Sequence, residues 1–270
     1  MPTSASSHHE VKQQYINGHF CYAYKFDIFT NGLGIARSID FYNKDYLASH
    51  PDIVVEKKVK SSDEDKSLAD SKALLPTLKD FKTRHPGIKP SIFLGDAAFD
   101  TIEIYKSLFE DFNFQKAFIP LKVNLSMDNI KYTFNENGIP CCPNDSSLPM
   151  KREGSKSHLR SKLSTIKFVC PKMKWEYNRQ DKSKRRVCHC DNPCTTSSCG
   201  RMIYVYPEKN LRAYPRVERG SKEWDETYKI RVNVENQLIT LRTVSALPNG
   251  KQQMKKHYIP IYCWPVYHSY

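Results

Sequence analysis

The sequence predicts an α/β fold: a mixed sheet with flanking helices, interrupted by a Cys-rich loop and β insertion. Three observations carry this expectation. Short apolar and aromatic runs alternate with amphipathic segments over residues 1–123. The character then changes across 124–215, where Pro, Ser, Asn, Lys and Cys dominate and no long apolar period survives. A patterned helix follows within 216–242, and the tail 243–270 carries no clear amphipathic period and is expected to be poorly ordered.

Each element has its own warrant. Phe20 to Phe29 (FCYAYKFDIF) is aromatic and β-prone, stops at Thr30-Asn31-Gly32, and is followed by a second run from Leu33 to Tyr42, which predicts a hairpin. Ser61 to Asp65 supplies helix-capping chemistry, and Leu68, Ala69, Leu74, Leu75, Leu78 and Phe81 recur near helical spacing up to the His85-Pro86-Gly87 stop. Ser91 to Leu94 is a short strand ending at Gly95-Asp96, and Asp100 can cap a helix with Ile104, Leu108 and Phe112 on its apolar face. Lys116 to Leu121 makes another strand. Beyond the insertion, Ser221 can cap a helix running through Glu235 to about Leu241.

Composition narrows the function. At 270 residues the chain can bury a sizeable core, as one large domain or a domain carrying an insertion. A formal charge of +13 and a pI near 9.2 make a polyanion the default partner, with nucleic acid first. The start of the chain lacks the apolar core of a signal peptide, and the late apolar stretch Tyr258 to Tyr267 falls well short of the ~20 residues of a membrane span. A soluble, cytoplasmic protein is expected. Nine cysteines without an export signal argue against a disulfide framework and leave metal binding or plain thiols.

One helix face concentrates chemistry. At roughly 100° per residue, Tyr228, Arg231, Glu235 and Arg242 share a stripe with a phenol, two guanidinium groups and an acid. Asp96, at a strand end, is a second acid of suitable type. Cleaving or transferring a DNA phosphodiester needs charge stabilisation on the attacking and leaving oxygens, which two divalent ions roughly 4 Å apart provide when carboxylates hold them. Hard Mg²⁺ or Mn²⁺ favours Asp and Glu for that role. Each acid alone has a plainer use: Asp96 as a turn or helix cap, and Glu235 as the i, i+4 partner of Arg231.

Together these residues resemble a family, the DDE transposases of bacterial insertion sequences, with a ribonuclease-H-like catalytic fold. The spacing of Tyr228, Arg231, Glu235 and Arg242 matches the pattern around that family's last acid, with Arg in a Lys position, and Phe93 to Asp100 looks like its second-Asp strand and turn. The resemblance spans about Val11 to Arg242, including a strand pair with Tyr24-Lys25. It implies catalytic Asp96 and Glu235 holding Mg²⁺ or Mn²⁺, with Tyr228, Arg231 and Arg242 positioning the acid or touching DNA. The implied reaction is strand cleavage at transposon ends and transfer to target DNA, by a homodimer in the DNA complex.

Two departures modify that expectation. The family's first Asp lies on a strand before Tyr24-Lys25, where this sequence offers no Asp, so the triad is incomplete unless Asp27 substitutes. The tail also departs from the family's pattern, which suggests a truncated, decayed and inactive transposase fragment with an incomplete ribonuclease-H-like sheet. The rival expectations are a non-catalytic DNA-binding protein and a remnant without function.

The insertion has two features of its own. Cys142, Cys170, Cys190 and Cys194 can supply four thiolates to a structural Zn²⁺, although their spacing is irregular. Lys184, Arg185 and Arg186, in the run Lys182 to Arg186 (KSKRR), suit DNA backbone contact or, more plainly, a solvated loop.

Overall fold

The computed structural model describes residues 12–16, 19–23, 26–53, 70–122, 132–158, 163–180, 182–236 and 261–264. They form a mixed α/β structure of several small sheets and few helices, in two compact units: 1–119 with 226–270, and 120–225. Among the described residues no helix is long and apolar enough to cross a membrane.

The first unit opens with an antiparallel hairpin, β1 (Lys12–Ile16) and β2 (His19–Ala23). A second hairpin, β3 (Phe26–Thr30) and β4 (Ala36–Phe41), follows. The single strand expected from Phe20 to Phe29 is therefore two strands in separate sheets; Tyr24 and Lys25 lie outside the described residues. Every position of β3 is buried, so the apolar run carries no alternation that would mark its start. The β3–β4 turn is built by Asn31, whose Oδ1 accepts from the Leu33 and Ile35 N–H groups at 3.1 and 2.9 Å, and by Gly34 at φ +81°.

Helix α1 (Lys44–Ser49) was not expected; at six residues it is too short to show a period, and Asn43 caps it. Helix α2 (Asp70–Arg84) buries Leu74, Leu78 and Phe81 at the expected spacing, whereas Ser61 to Asp65, Leu68 and Ala69 lie outside the described residues. Strand β5 (Ile92–Leu94), a 3-10 turn (Ala97–Phe99), α3 (Ile102–Glu110) and β6 (Lys116–Phe118) complete this stretch. Thr101, not Asp100, caps α3, because the 3-10 turn leaves Thr101 as the extended residue just before the first helical one. Asp100 is buried instead and accepts from the Tyr105 hydroxyl at 3.2 Å.

The second unit is β-rich. Strands β7 (Cys141–Cys142) and β8 (Asp145–Pro149) pair tightly, and β9 (Lys151–His158) pairs with β10 (Leu163–Val169). Strands β11 (Met173–Asn178) and β12 (Ser183–Cys188) form a separate two-stranded ribbon. Strand β13 (Met202–Val205) joins β10, giving the order β13-β10-β9. Phe134, Met150, Ile166, Phe168, Ile203 and Val205 pack as a core of their own.

Helix α4 (Lys222–Lys229) starts as expected, with Ser221 Oγ accepting from the Trp224 N–H at 3.1 Å. It does not run on to Leu241. Ile230 and Arg231 form a turn closed by i→i+3 hydrogen bonds, helical structure resumes over 232–236, and 237–241 lie outside the described residues. Three β-branched residues at alternate positions, Ile230, Val232 and Val234, restrict χ1 and weaken helix propensity at this break.

The largest departure concerns the tail. Ile261–Trp264 is a strand, β14, inside the first unit's five-stranded sheet, ordered β4-β3-β14-β5-β6. It runs parallel to β3 and antiparallel to β5, while β5 and β6 are parallel. The backbone groups of β3 and β5 that face each other need partners, and this short apolar run supplies them. Four residues carry too little pattern to announce such a place.

Candidate functional site

Asp96 stands just beyond the carboxyl end of β5. Its backbone is extended and its Oδ1 accepts from the Ala97 N–H at 2.5 Å, so it caps the 3-10 turn. Its other oxygen, Oδ2, meets Arg231 Nη2 at 3.2 Å. The second guanidinium nitrogen, Nη1, lies 3.6 Å from Glu235 Oε1. One arginine therefore bridges the two acids that the sequence singled out, although 139 positions separate them in the chain. Both carboxylates are partly exposed, with side chains at 38% and 53% of full accessibility, so the bridge itself adds little stability.

The segment that carries Arg231 and Glu235 is held by its neighbours. Asn233 Nδ2 donates to the Gly32 carbonyl at 2.8 Å, and Val234 is buried. A Cβ on Gly34 would stand 3.1 Å from the Asn233 carbonyl oxygen, so the close approach of this segment to the β3–β4 turn needs glycine there. Tyr228 completes the described part of the stripe, its ring centroid 6.0 Å from the Arg231 guanidinium carbon. Burial raises its phenol above the ordinary value while the neighbouring Arg231 pulls the other way, leaving a neutral hydrogen-bonding group at neutral pH. Arg242 lies outside the described residues.

The donor set suits a hard cation. Mg²⁺ or Mn²⁺ takes oxygen ligands and commonly one or two carboxylates with water, and Asp96 and Glu235 provide that type of ligand around a spot that already attracts a positive group. Among the described residues, no three of His, Cys, Asp and Glu lie within reach of one ion. Asp27, the alternative third acid, has another role. It is buried on β3 and accepts from the Tyr42 hydroxyl; Tyr46 and Thr77 share a 2.8 Å hydrogen bond beside them, and the Thr77 hydroxyl also donates to the Ala73 carbonyl at 2.9 Å. This polar network ties β3 to α1 and α2.

In the second unit, members of the set Cys142, Cys170, Cys190 and Cys194 stand near other cysteines. Cys170 Sγ lies 3.8 Å from Cys188 Sγ, and Cys194 neighbours Cys142. Tetrahedral zinc with bonds of about 2.3 Å sets sulfurs roughly 3.8 Å apart, so the first pair has that spacing, but two thiols are half of a closed site. Cys170 follows β10 and Cys188 ends β12, and Cys190 also stands near enough to Cys170 to act on its thiol. Burial pushes the Cys170 thiol up to about 11, with Cys188 beside it adding to the rise, so it is protonated at neutral pH.

Lys184, Arg185 and Arg186 lie on strand β12 and not in a loop. The register sets Trp175 opposite Arg186 and Tyr177 opposite Lys184. Trp175 and Tyr177 were missed in the sequence, although their spacing of two was the signal: on a strand it puts both rings on one face.

No family model, curated protein or solved structure matches the chain.

Proposed function

We propose that this chain is a DNA-processing core of the DDE-transposase kind, in which Asp96 and Glu235 are the carboxylates for Mg²⁺ or Mn²⁺ and Tyr228 and Arg231 position them. The observation that carries the reading is the Arg231 bridge, which gathers both acids at the carboxyl end of β5 from distant parts of the chain. The mixed sheet, with Asp96 following an internal strand, supports a ribonuclease-H-like core. A bound divalent ion would activate the attacking oxygen and stabilise the leaving one.

The chain in this form binds DNA without completing cleavage and strand transfer. Arg231 holds both carboxylates in an internal ion pair, and Asp27 is engaged by Tyr42. A second reading, a non-catalytic DNA-binding protein, is favoured by Asp96 Oδ1, which has a capping role that requires no metal.

Mn²⁺ titration of the full chain, read by electron paramagnetic resonance, tests the site. The expected result is binding that the double variant Asp96→Asn, Glu235→Gln weakens at least tenfold and that Arg231→Gln strengthens. Affinity unchanged in the double variant removes the carboxylate site and leaves the binding-protein reading. In parallel, supercoiled plasmid incubated with Mg²⁺ is expected to stay intact; robust nicking or joining by the wild-type chain, lost in the double variant, would overturn the inactive assignment.

A further inference from the structure

The second unit holds most of the chain's net positive charge: residues 120–225 contain 21 Lys and Arg against 11 Asp and Glu, +10 of the chain's +13. Within it, the β11–β12 ribbon turns one face to solvent. Antiparallel register places directly opposed residues on the same side, so Trp175 and Tyr177 share a face with Arg186 and Lys184. The two rings are 58% and 56% exposed, an unusual amount for side chains of that size. Arg186 lies over the indole, its guanidinium carbon 4.6 Å from the ring centroid, and is held there by Glu153 at 2.7 Å. The Trp175 ring is thus backed on one side and open on the other. Lys184, beside Tyr177, is exposed.

We infer that this ribbon is a binding face for single-stranded DNA, with bases stacked on Trp175 and Tyr177 and phosphates set against Lys184 and its basic neighbours. Charge alone would suit any polyanion, and a duplex backbone requires only the cations. The rings decide between strands. Residues two apart on a strand stand roughly 7 Å apart along it, twice the ~3.4 Å rise between stacked nucleotides in a duplex. Consecutive bases must separate to meet both rings, which a single strand does readily and a paired one resists. The preset Arg186–Trp175 contact spares the ordering cost that a mobile indole would otherwise meet on binding.

The inference rests on DNA being the partner, as the proposed function has it, and is independent of the carboxylates. Fluorescence anisotropy with a labelled oligothymidylate and the full chain tests it. The expected result is binding to the single strand that Trp175→Ala weakens roughly tenfold or more, as loss of one stacked base predicts, and that Trp175→Phe largely restores. Tyr177→Ala should act in the same direction, and a hairpin-free duplex of equal length should lose far less with either variant. Circular dichroism checks that each variant keeps its fold, and Tyr177→Ala carries the test if the Trp175→Ala variant does not. Equal single-strand affinity in wild type and ring variants overturns the stacking face while leaving DNA as a partner. Tighter binding to oligouridylate than to oligothymidylate overturns the choice of DNA. Failure to bind any nucleic acid removes this inference and the DNA partner of the proposed function together, whereas loss of Mn²⁺ binding alone touches only the latter's metal site.

Discussion

The core of the first unit's sheet and the surface strands of the second unit use aromatic residues in opposite ways. In the first, Phe93, Phe99, Tyr105, Phe114 and Phe118 are almost wholly inaccessible to solvent, with Phe93 edge-on to Phe99 and to Phe114 at centroid separations of 6.4 and 5.7 Å. In the second, Trp175, Tyr177, Tyr204 and Tyr206 stand in solvent, and cations lie over two of their rings. The difference follows from what accompanies the strands. A sheet that has helices in the same unit gains a second layer and encloses its large rings, each burying on the order of 150–250 Å². A two-stranded ribbon has no second layer, so one face stays wet, and rings there serve contact with something else.

Substitution should expose this contrast most sharply at Phe93. Phe93→Ala is expected to cost about 3–5 kcal/mol of stability, read from urea denaturation, because it leaves a cavity among close-packed rings. Trp175→Ala is expected to stay within about 0.5 kcal/mol of the wild type, since an exposed residue removes little when truncated. Comparable losses at the two positions would break the comparison.

A smaller effect sharpens it from the side of the second unit, whose integrity depends on close backbone approaches as well as on its core. Gly138 has φ +68°, and a Cβ there would stand 2.6 Å from the Ala213 carbonyl oxygen. Gly138→Ala is expected to cost about 1–3 kcal/mol through backbone strain and collision, with hydrogen exchange rising across residues of the second unit and little change in the first.

The smallest effect concerns alkaline pH. Burial raises the Tyr46 phenol to about 12, above the ~10 of an unfolded tyrosine, and raises Tyr42 further, with Asp27 adding to the rise. The folded state keeps these protons longer than the unfolded state does. The associated stability is fully present below pH 10 and is lost as pH climbs from about 10 towards 12. Burial also raises Tyr132 and Tyr214, so the second unit should weaken in the same direction. Tyr46→Phe is expected to flatten only part of the fall in urea midpoint; an unchanged slope would show that the Asp27 network contributes nothing to it.

Sequence alone determined the parts that rest on local pattern. The i, i+4, i+7 spacing of Leu74, Leu78 and Phe81 marked α2, a short apolar run marked β5, and Ser221 marked the start of α4, because periodicity and caps are encoded by neighbours in the chain. The pairing of Asp96 with Glu235 as an object of interest was also legible, from residue types and spacing. Their meeting on Arg231, the entry of Ile261–Trp264 between β3 and β5, and the approach of the Cys170 thiol to that of Cys188 were decided only by tertiary structure. Each depends on which distant backbone groups lack a partner and on strand register. A shift of one residue in that register would turn every side chain of a strand to its other face.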